Sequence, residues 1–234
     1  MTRKLVTEAI GTFFLVLTIG LTVTAEQPLA PVAIGSVLMV MVYMGGAVSG
    51  AHYNPAVTVA MLIRRKVTSA EAVAYAVAQV IGAALAALAV YWLAGETFMP
   101  APAPTADAAQ ILAVETLFTF ALALVVLNVA TARETEGNSY FGLAIGFTVL
   151  AGAFAGGPIS GGAFNPAVGL GPALVAALVG GQPVGQVVYY IVGPLAGAAL
   201  AAAVFALQHP ESIVAATHPT LVHQPVEPEA VPHP

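Results

Sequence analysis

The chain has 234 residues, of which 59% are hydrophobic and 7% charged, with a mean hydropathy of +0.92 and a net charge of −5. No water-soluble domain of this size can hide so much apolar surface inside itself, so the solvent around much of it is lipid. With no cysteine there is neither a disulfide framework nor a thiolate metal site, and nothing in the acidic charge balance points to a nucleic-acid partner.

A short basic start, Met1 to Lys4, is followed by apolar residues to about Ala25, enough to cross a hydrocarbon layer ~30 Å thick. Val23-Thr24-Ala25 could pass for a signal-peptide cleavage site. Glu8 stands against that reading, because a signal sequence would not keep a charge in its apolar run. A retained first span is expected. Pro28 and Pro31 then close a loop, and a second span runs from about Val32 to Val48. The next helix, from Pro55 to about Ile63, ends at Arg64-Arg65-Lys66 and is too short to cross, so it is expected to be re-entrant. A third span from about Ser69 to Leu93 leads into a loop, Ala94 to Asp107, whose Pro100, Pro102 and Pro104 exclude regular helix.

The same order then recurs. A span from about Ala108 to Ala130, a polar loop from Thr131 to Ser139 and a span from about Tyr140 to Ala155 lead to a second break. A short helix to about Val179 and a last span from about Pro183 to Leu207 follow. The breaks themselves are near copies, Ser49-Gly50-Ala51-His52-Tyr53-Asn54-Pro55-Ala56-Val57 and Ser160-Gly161-Gly162-Ala163-Phe164-Asn165-Pro166-Ala167-Val168. Each has small residues for an irregular backbone, Asn at a helix N-cap and Pro at the first helical position. Asn54 and Asn165 are 111 residues apart, Glu8 and Glu115 107, and Gly82 and Gly197 of the repeated Gly-Ala-Ala-Leu-Ala-Ala 115. The chain thus reads as one duplicated unit over residues 1–207, with halves at about 4–93 and 108–207, and a Pro- and His-containing tail at 208–234 expected to be disordered.

In a six-span arrangement Arg3, Lys4, Arg64, Arg65, Lys66 and Arg133 fall on one side, which the positive-inside rule makes cytoplasmic, with both termini. Three spans per half make the repeat inverted, so the short helices enter from opposite faces. Their positive N-terminal ends then oppose one another at the midplane, a barrier to cations and protons, while the Asn54 and Asn165 amides can donate to a passing oxygen.

The paired Asn-Pro-Ala boxes (Asn54, Pro55, Ala56 and Asn165, Pro166, Ala167), with Ser-Gly-Ala-His before the first and Gly-Leu-Gly-Pro-Ala-Leu after the second, resemble the aquaporin or major intrinsic protein family. Glu-x-x-Gly-Thr-Phe at the start and Gly193 to Leu200 in the last span resemble it too, and the likeness covers about Lys4 to Leu207. The resemblance implies an all-α membrane fold of six spans and two re-entrant half-helices, with a pore in each subunit of a homotetramer. It implies a multi-pass protein of the cell membrane that passes water and small neutral solutes, uses no cofactor or metal and is no enzyme. One feature does not carry over. Most members have Arg directly after the second box, where this chain has Val168. Counting along the family pattern, the other selectivity-filter positions fall at Ile34, Ala153 and Gly162, and none of the four can donate a hydrogen bond from its side chain. Glycerol-conducting relatives usually carry Asp next, and Gly169 stands there. A wide, apolar outer constriction with relaxed selectivity is one reading. The other is that Phe154 or Phe164 leans inward and narrows it.

Several residues keep competing readings. Glu8 and Glu115 lie in spans, where a carboxylate costs roughly 2.5–3.5 kcal/mol or more at the centre. They are either structural buttresses for the broken backbone or the proton-binding pair of a coupled small-solute carrier. His52 is read as wall of the cytoplasmic vestibule, although with Ser49 it could also form a hydrolase pair. Ser160 recurs in the second half where Ala163 replaces the histidine, which argues against hydrolysis. Metal binding by His209, His218, His223 and His233 is a weak alternative for the tail. A membrane adhesion protein without transport stands as a further alternative to the channel. Because there is no cysteine, permeation is expected to resist thiol-directed mercurials in a liposome flux assay. Strong inhibition would mean that block by such reagents does not act through a thiol.

Overall fold

The structure, a computed structural model, describes residues 1–210, and the expectations for residues 211–234, including His218, His223 and His233, lie outside the described residues. Among the described residues all regular structure is helical: α1 (Thr2–Thr24), α2 (Ala30–Ser49), α3 (Pro55–Ile63), α4 (Ser69–Ala94), α5 (Ala108–Thr131), a 3-10 turn (Arg133–Thr135), α6 (Phe141–Ser160), α7 (Pro166–Gly180) and α8 (Val187–Gln208). Six of these, α1, α2, α4, α5, α6 and α8, are long and apolar enough to cross a membrane. With 9 and 15 residues, α3 and α7 reach only about 14 and 22 Å at 1.5 Å per residue, short of a bilayer core.

Local signals set most of these boundaries. Thr68 and Glu71 form a reciprocal capping box at the start of α4, and Asp107 and Gln110 do the same for α5. Both α2 and α6 stop at a left-handed glycine, Gly50 with φ 87° and Gly161 with φ 90°. The fifth span was expected to end near Ala155 but continues through Pro158 to Ser160. So close to the C-terminus, proline forfeits a single hydrogen bond to the carbonyl four residues earlier, and the helix tolerates it. The polar loop after α5 contains the 3-10 turn, and the last span begins at Val187 rather than near Pro183.

Packing follows the repeat. α1 lies against α4 and α2 as α5 lies against α8 and α6, and each short helix packs on the last span of the other half, α3 on α8 and α7 on α4. The two halves also meet where α2 crosses α6, Gly35 facing Gly146. The repeated hexapeptide sits at the tightest crossings. A Cβ on Gly82 would run into the Ala9 carbonyl oxygen of α1, and one on Gly197 into the Thr116 carbonyl oxygen of α5. These are backbone contacts between helices that only a residue without a side chain allows.

The basic residues gather at one end of the bundle. Lys4 Nζ is 3.1 Å from Glu71 Oε1, the Arg64 guanidinium lies 5.0 Å over the Phe205 ring, and Lys66 and Arg133 border one surface hollow. His209 joins that end, with Nε2 2.9 Å from Asn128 Oδ1 and Nδ1 3.3 Å from Glu134 Oε2. Gly82→Val and Gly197→Val are each expected to destabilise the fold by about 1–3 kcal/mol or more, since a backbone carbonyl cannot yield as a side chain can. A lowered thermal midpoint in detergent checks this, and unchanged midpoints would contradict the close crossings.

Candidate pore

Each break is built on strained backbone. Ala51 (φ 51°), Tyr53 (φ 49°) and Phe164 (φ 48°) occupy the left-handed region, which for a residue with a side chain costs of order 1–3 kcal/mol. A buried carboxylate holds each loop in place. Glu8 Oε1 accepts from Ser49 Oγ (2.6 Å) and the His52 N–H (3.0 Å), and its Oε2 accepts from the Tyr53 N–H (2.7 Å) and Gln79 Nε2 (2.8 Å). Glu115 repeats the grip on Ser160 Oγ (2.7 Å), Ala163 N–H (3.1 Å) and Phe164 N–H (2.7 Å). Tyr75 OH donates to the Ser49 carbonyl at 2.8 Å and Tyr190 OH to the Ser160 carbonyl at 2.6 Å, fixing where each long helix ends.

These bonds orient the peptides. In a planar trans peptide the N–H and the preceding C=O point in opposite directions. Drawing the N–H groups of residues 51–53 and 162–164 toward Glu8, Ser49, Glu115 and Ser160 therefore turns the carbonyls of Gly50, Ala51, His52, Gly161, Gly162 and Ala163 the other way. The loops that carry them line a cavity of about 360 Å³.

At the inner ends of α3 and α7 the asparagines are extended N-caps, with φ −157° for Asn54 and −160° for Asn165. Asn54 Oδ1 accepts from the Ala56 N–H (2.8 Å) and Asn165 Oδ1 from the Ala167 N–H (2.9 Å). Each amide then reaches across. Asn54 Nδ2 donates to the Phe164 carbonyl and Asn165 Nδ2 to the Tyr53 carbonyl, both at 2.9 Å. The half-helices are thus joined head to head, and both asparagines line the cavity. An amide has a second N–H, which is available to a solute.

Among the described residues no charged side chain lines this cavity. Ile34, Ala153, Gly162 and Val168 all do, as does His52. His52 is 4% exposed, its Nδ1 lies 3.1 Å from Thr58 Oγ1 and its ring meets Tyr75 edge-on at 5.1 Å. Ser49 is committed to Glu8, and no Ser–His hydrogen bond forms among the described residues, so the structure assembles no hydrolase pair. Phe154 is 45% exposed and does not line the cavity. Phe164 is among the lining residues, with its ring 5.2 Å from that of Phe118. Among the described residues no group of His, Cys, Asp or Glu is arranged to hold a metal.

Sequence reasoning missed two sets of residues. Gln79 bridges Glu8 and Thr58, with Nε2 2.8 and 3.1 Å away, and nothing in the repeat signals it, since Pro194 and Gly169 stand at the matching places. The prolines of the 94–107 loop marked an extended connection but not its path over the mouth. Phe98 is wedged against Gly20 of α1 and Val90 of α4, Ala101 lies on Gly161, and the Ala103 N–H donates to the Ile159 carbonyl at 2.9 Å. Phe98, Met99, Pro100 and Ala101 consequently line the cavity. Tyr75 and Tyr190 were within reach, because they share the 115-residue offset of Gly82 and Gly197.

Comparison with known proteins places this arrangement. The family model described as Major intrinsic protein matches residues 1–205. Aquaporin NIP1-1 of Oryza sativa subsp. japonica is 39% identical over 206 residues, covering 84% of this chain and 70% of its own length. The glycerol uptake facilitator protein-like 6 of Lactiplantibacillus plantarum is 37% identical over 209 residues, covering 86% and 95%. The crystal structure of the aquaglyceroporin from Plasmodium falciparum superposes with a TM-score of 0.80 at 20% identity, over 91% of this chain and 99% of that one, which is likeness of fold. Six membrane-crossing helices, two half-helices joined at their N-termini and a family match from end to end of the bundle lead to one assignment: the chain belongs to the major intrinsic protein family, a family of membrane channels and not of enzymes.

Proposed function

We infer that the protein is a passive channel for water and small neutral solutes that excludes ions and protons. The observation that carries this is the head-to-head meeting of α3 and α7 in a cavity that, among the described residues, no charged side chain lines. Two helix N-termini, each worth roughly half a positive charge, face the same point, so a cation or a relayed proton meets a positive potential where the path crosses the midplane. A neutral solute finds the free N–H of Asn54 and Asn165 and a strip of carbonyl acceptors from both breaks. The channel unit spans residues 1–207, and its outer filter is Ile34, Ala153, Gly162 and Val168, wide and without a donor. His52 forms the wall of the inner vestibule.

Glu8 and Glu115 are buttresses in this reading. Both are fully buried and neither lines the cavity, which supports a channel over a proton-coupled carrier that would need an acidic group on the path. The basic end of the bundle, with Arg64, Lys66 and Arg133, supports a cytoplasmic location for that end and for Met1. The family resemblance supports a homotetramer in the cell membrane.

Two measurements test these assignments. In each carboxylate one oxygen holds one backbone N–H and the other oxygen the next, so a glutamine there must set its NH2 against a backbone donor whichever way it turns. Glu8→Gln and Glu115→Gln are each expected to cost about 1–3 kcal/mol, read as a lower unfolding midpoint. A variant as stable as the native protein would remove the buttress role. Stopped-flow light scattering on proteoliposomes tests the channel itself. The native protein is expected to accelerate water, glycerol and urea. Val168→Arg is expected to slow glycerol and urea by about tenfold or more relative to water, the scale on which one pocket contact discriminates. Rates equal to empty liposomes for water and solutes alike would leave no channel reading.

A further inference from the structure

The polar groups of the cavity are distributed unevenly, and the distribution has a chemical meaning. The side-chain amide donors on the lining, Asn54 and Asn165, sit where the half-helices meet; the Tyr53 hydroxyl is spent on the Met41 carbonyl, and the His52 ring is held at Thr58. Backbone acceptors run along the two breaks, because the N–H groups of those loops are turned to Glu8 and Glu115. From the asparagines outward the remaining wall is hydrocarbon and thioether: Ile34, Val149 and Ala153 on α2 and α6, Val168 at the start of α7, and Met99 of the loop across the mouth. Ile34 and Val168 are buried and β-branched, so they form a stiff apolar surface.

A solute crossing this outer half therefore has one edge on carbonyl oxygens and the other on methyl groups. A hydroxyl turned to the carbonyls keeps a partner in place of its water. A hydroxyl turned to Ile34 or Val168 loses water and gains nothing, whereas a methyl there gains burial. Ala153 and Gly162 take little space, so discrimination by polarity, not by size, is what remains for this region to exert.

Resting on the channel reading above, we propose that the pore prefers small amphiphiles, neutral solutes with one hydrogen-bonding edge and one apolar face, over polyols that carry a hydroxyl on every carbon. Glycerol and 1,2-propanediol make the comparison direct, since they share a skeleton and differ by one hydroxyl. Val168 and Ile34 are then the residues that set the preference, and a hydroxyl placed on that wall weakens it.

The test is solute entry into proteoliposomes, with the empty-liposome rate subtracted for each solute because 1,2-propanediol also crosses bare lipid. The native protein is expected to carry 1,2-propanediol about tenfold faster than glycerol, the factor that corresponds to 1.4 kcal/mol. Val168→Thr keeps the shape of the side chain and adds a hydroxyl, and it is expected to bring the ratio toward one by raising glycerol entry. A native ratio of one or below, with water still accelerated, overturns the preference and leaves the channel intact. A high native ratio that Val168→Thr and Ile34→Thr both leave unchanged overturns the assignment to this wall. Water and both solutes at empty-liposome rates overturn the channel reading and this inference together.

Discussion

The structure depends on the two hydrogen bonds by which each half-helix reaches across to the other, Asn54 to the Phe164 carbonyl and Asn165 to the Tyr53 carbonyl. Both α3 and α7 end inside a bundle that lipid surrounds, where unsatisfied backbone groups are costly and neither end can be left to water. Each end is completed by the loop of the opposite half, so neither half is finished without its partner. The bond is available only because Tyr53 and Phe164 are held in the left-handed region, and that conformation is stable only because Glu8 and Glu115 collect the N–H groups it exposes. A buried carboxylate is thus tolerated by the same backbone that needs it.

The duplication explains why so few residue types suffice, and its departures show where the halves have separate tasks. Glu, Ser, Tyr, Asn and Pro keep equivalent places and equivalent bonds in both halves. Around Glu8, however, the chain adds Gln79, Thr58 and His52, whereas the second half has Pro194, Gly169 and Ala163. In the first half this sets an imidazole against a hydroxyl, with His52 on the cavity wall. The second half contributes Gly162, Ala163 and Val168 to the same lining, none of them with a polar side chain. The pore is accordingly built from a nearly symmetric frame with an asymmetric lining.

The fold was largely legible in the chain because membrane depth allows few solutions. Runs of apolar residues long enough to span lipid, two Asn-Pro helix starts and three matching offsets leave little freedom beyond an inverted pair of three-span units with re-entrant segments. Boundaries set by a local signal were read closely: α3 starts at Pro55 and α4 at Ser69, behind an N-cap in each case. The end of α6 lies five residues beyond the expected Ala155, because the helix runs through Pro158 and stops only at the left-handed Gly161. The site was legible in part. The asparagines and the carboxylates stood out because they repeat; Ile34, Ala153, Gly162 and Val168 were singled out only through the family resemblance and line the cavity, while Gln79 and the loop carrying Phe98 and Met99 have no counterpart to reveal them.

Composition and short-range chemistry in the chain therefore set the solvent, the number and order of helices, the duplicated breaks and the lack of a cation directly after the second one. Which groups share the cavity follows from the packing instead. Asn54 meets a carbonyl 110 residues away, and Phe98 is pinned between α1 and α4, so that the loop it belongs to roofs the mouth. Packing likewise decided that Phe154, which could have narrowed the pore, faces outward instead. The physical reason is that these outcomes depend on how helices cross and where glycines let backbones touch. No local stretch of sequence encodes either.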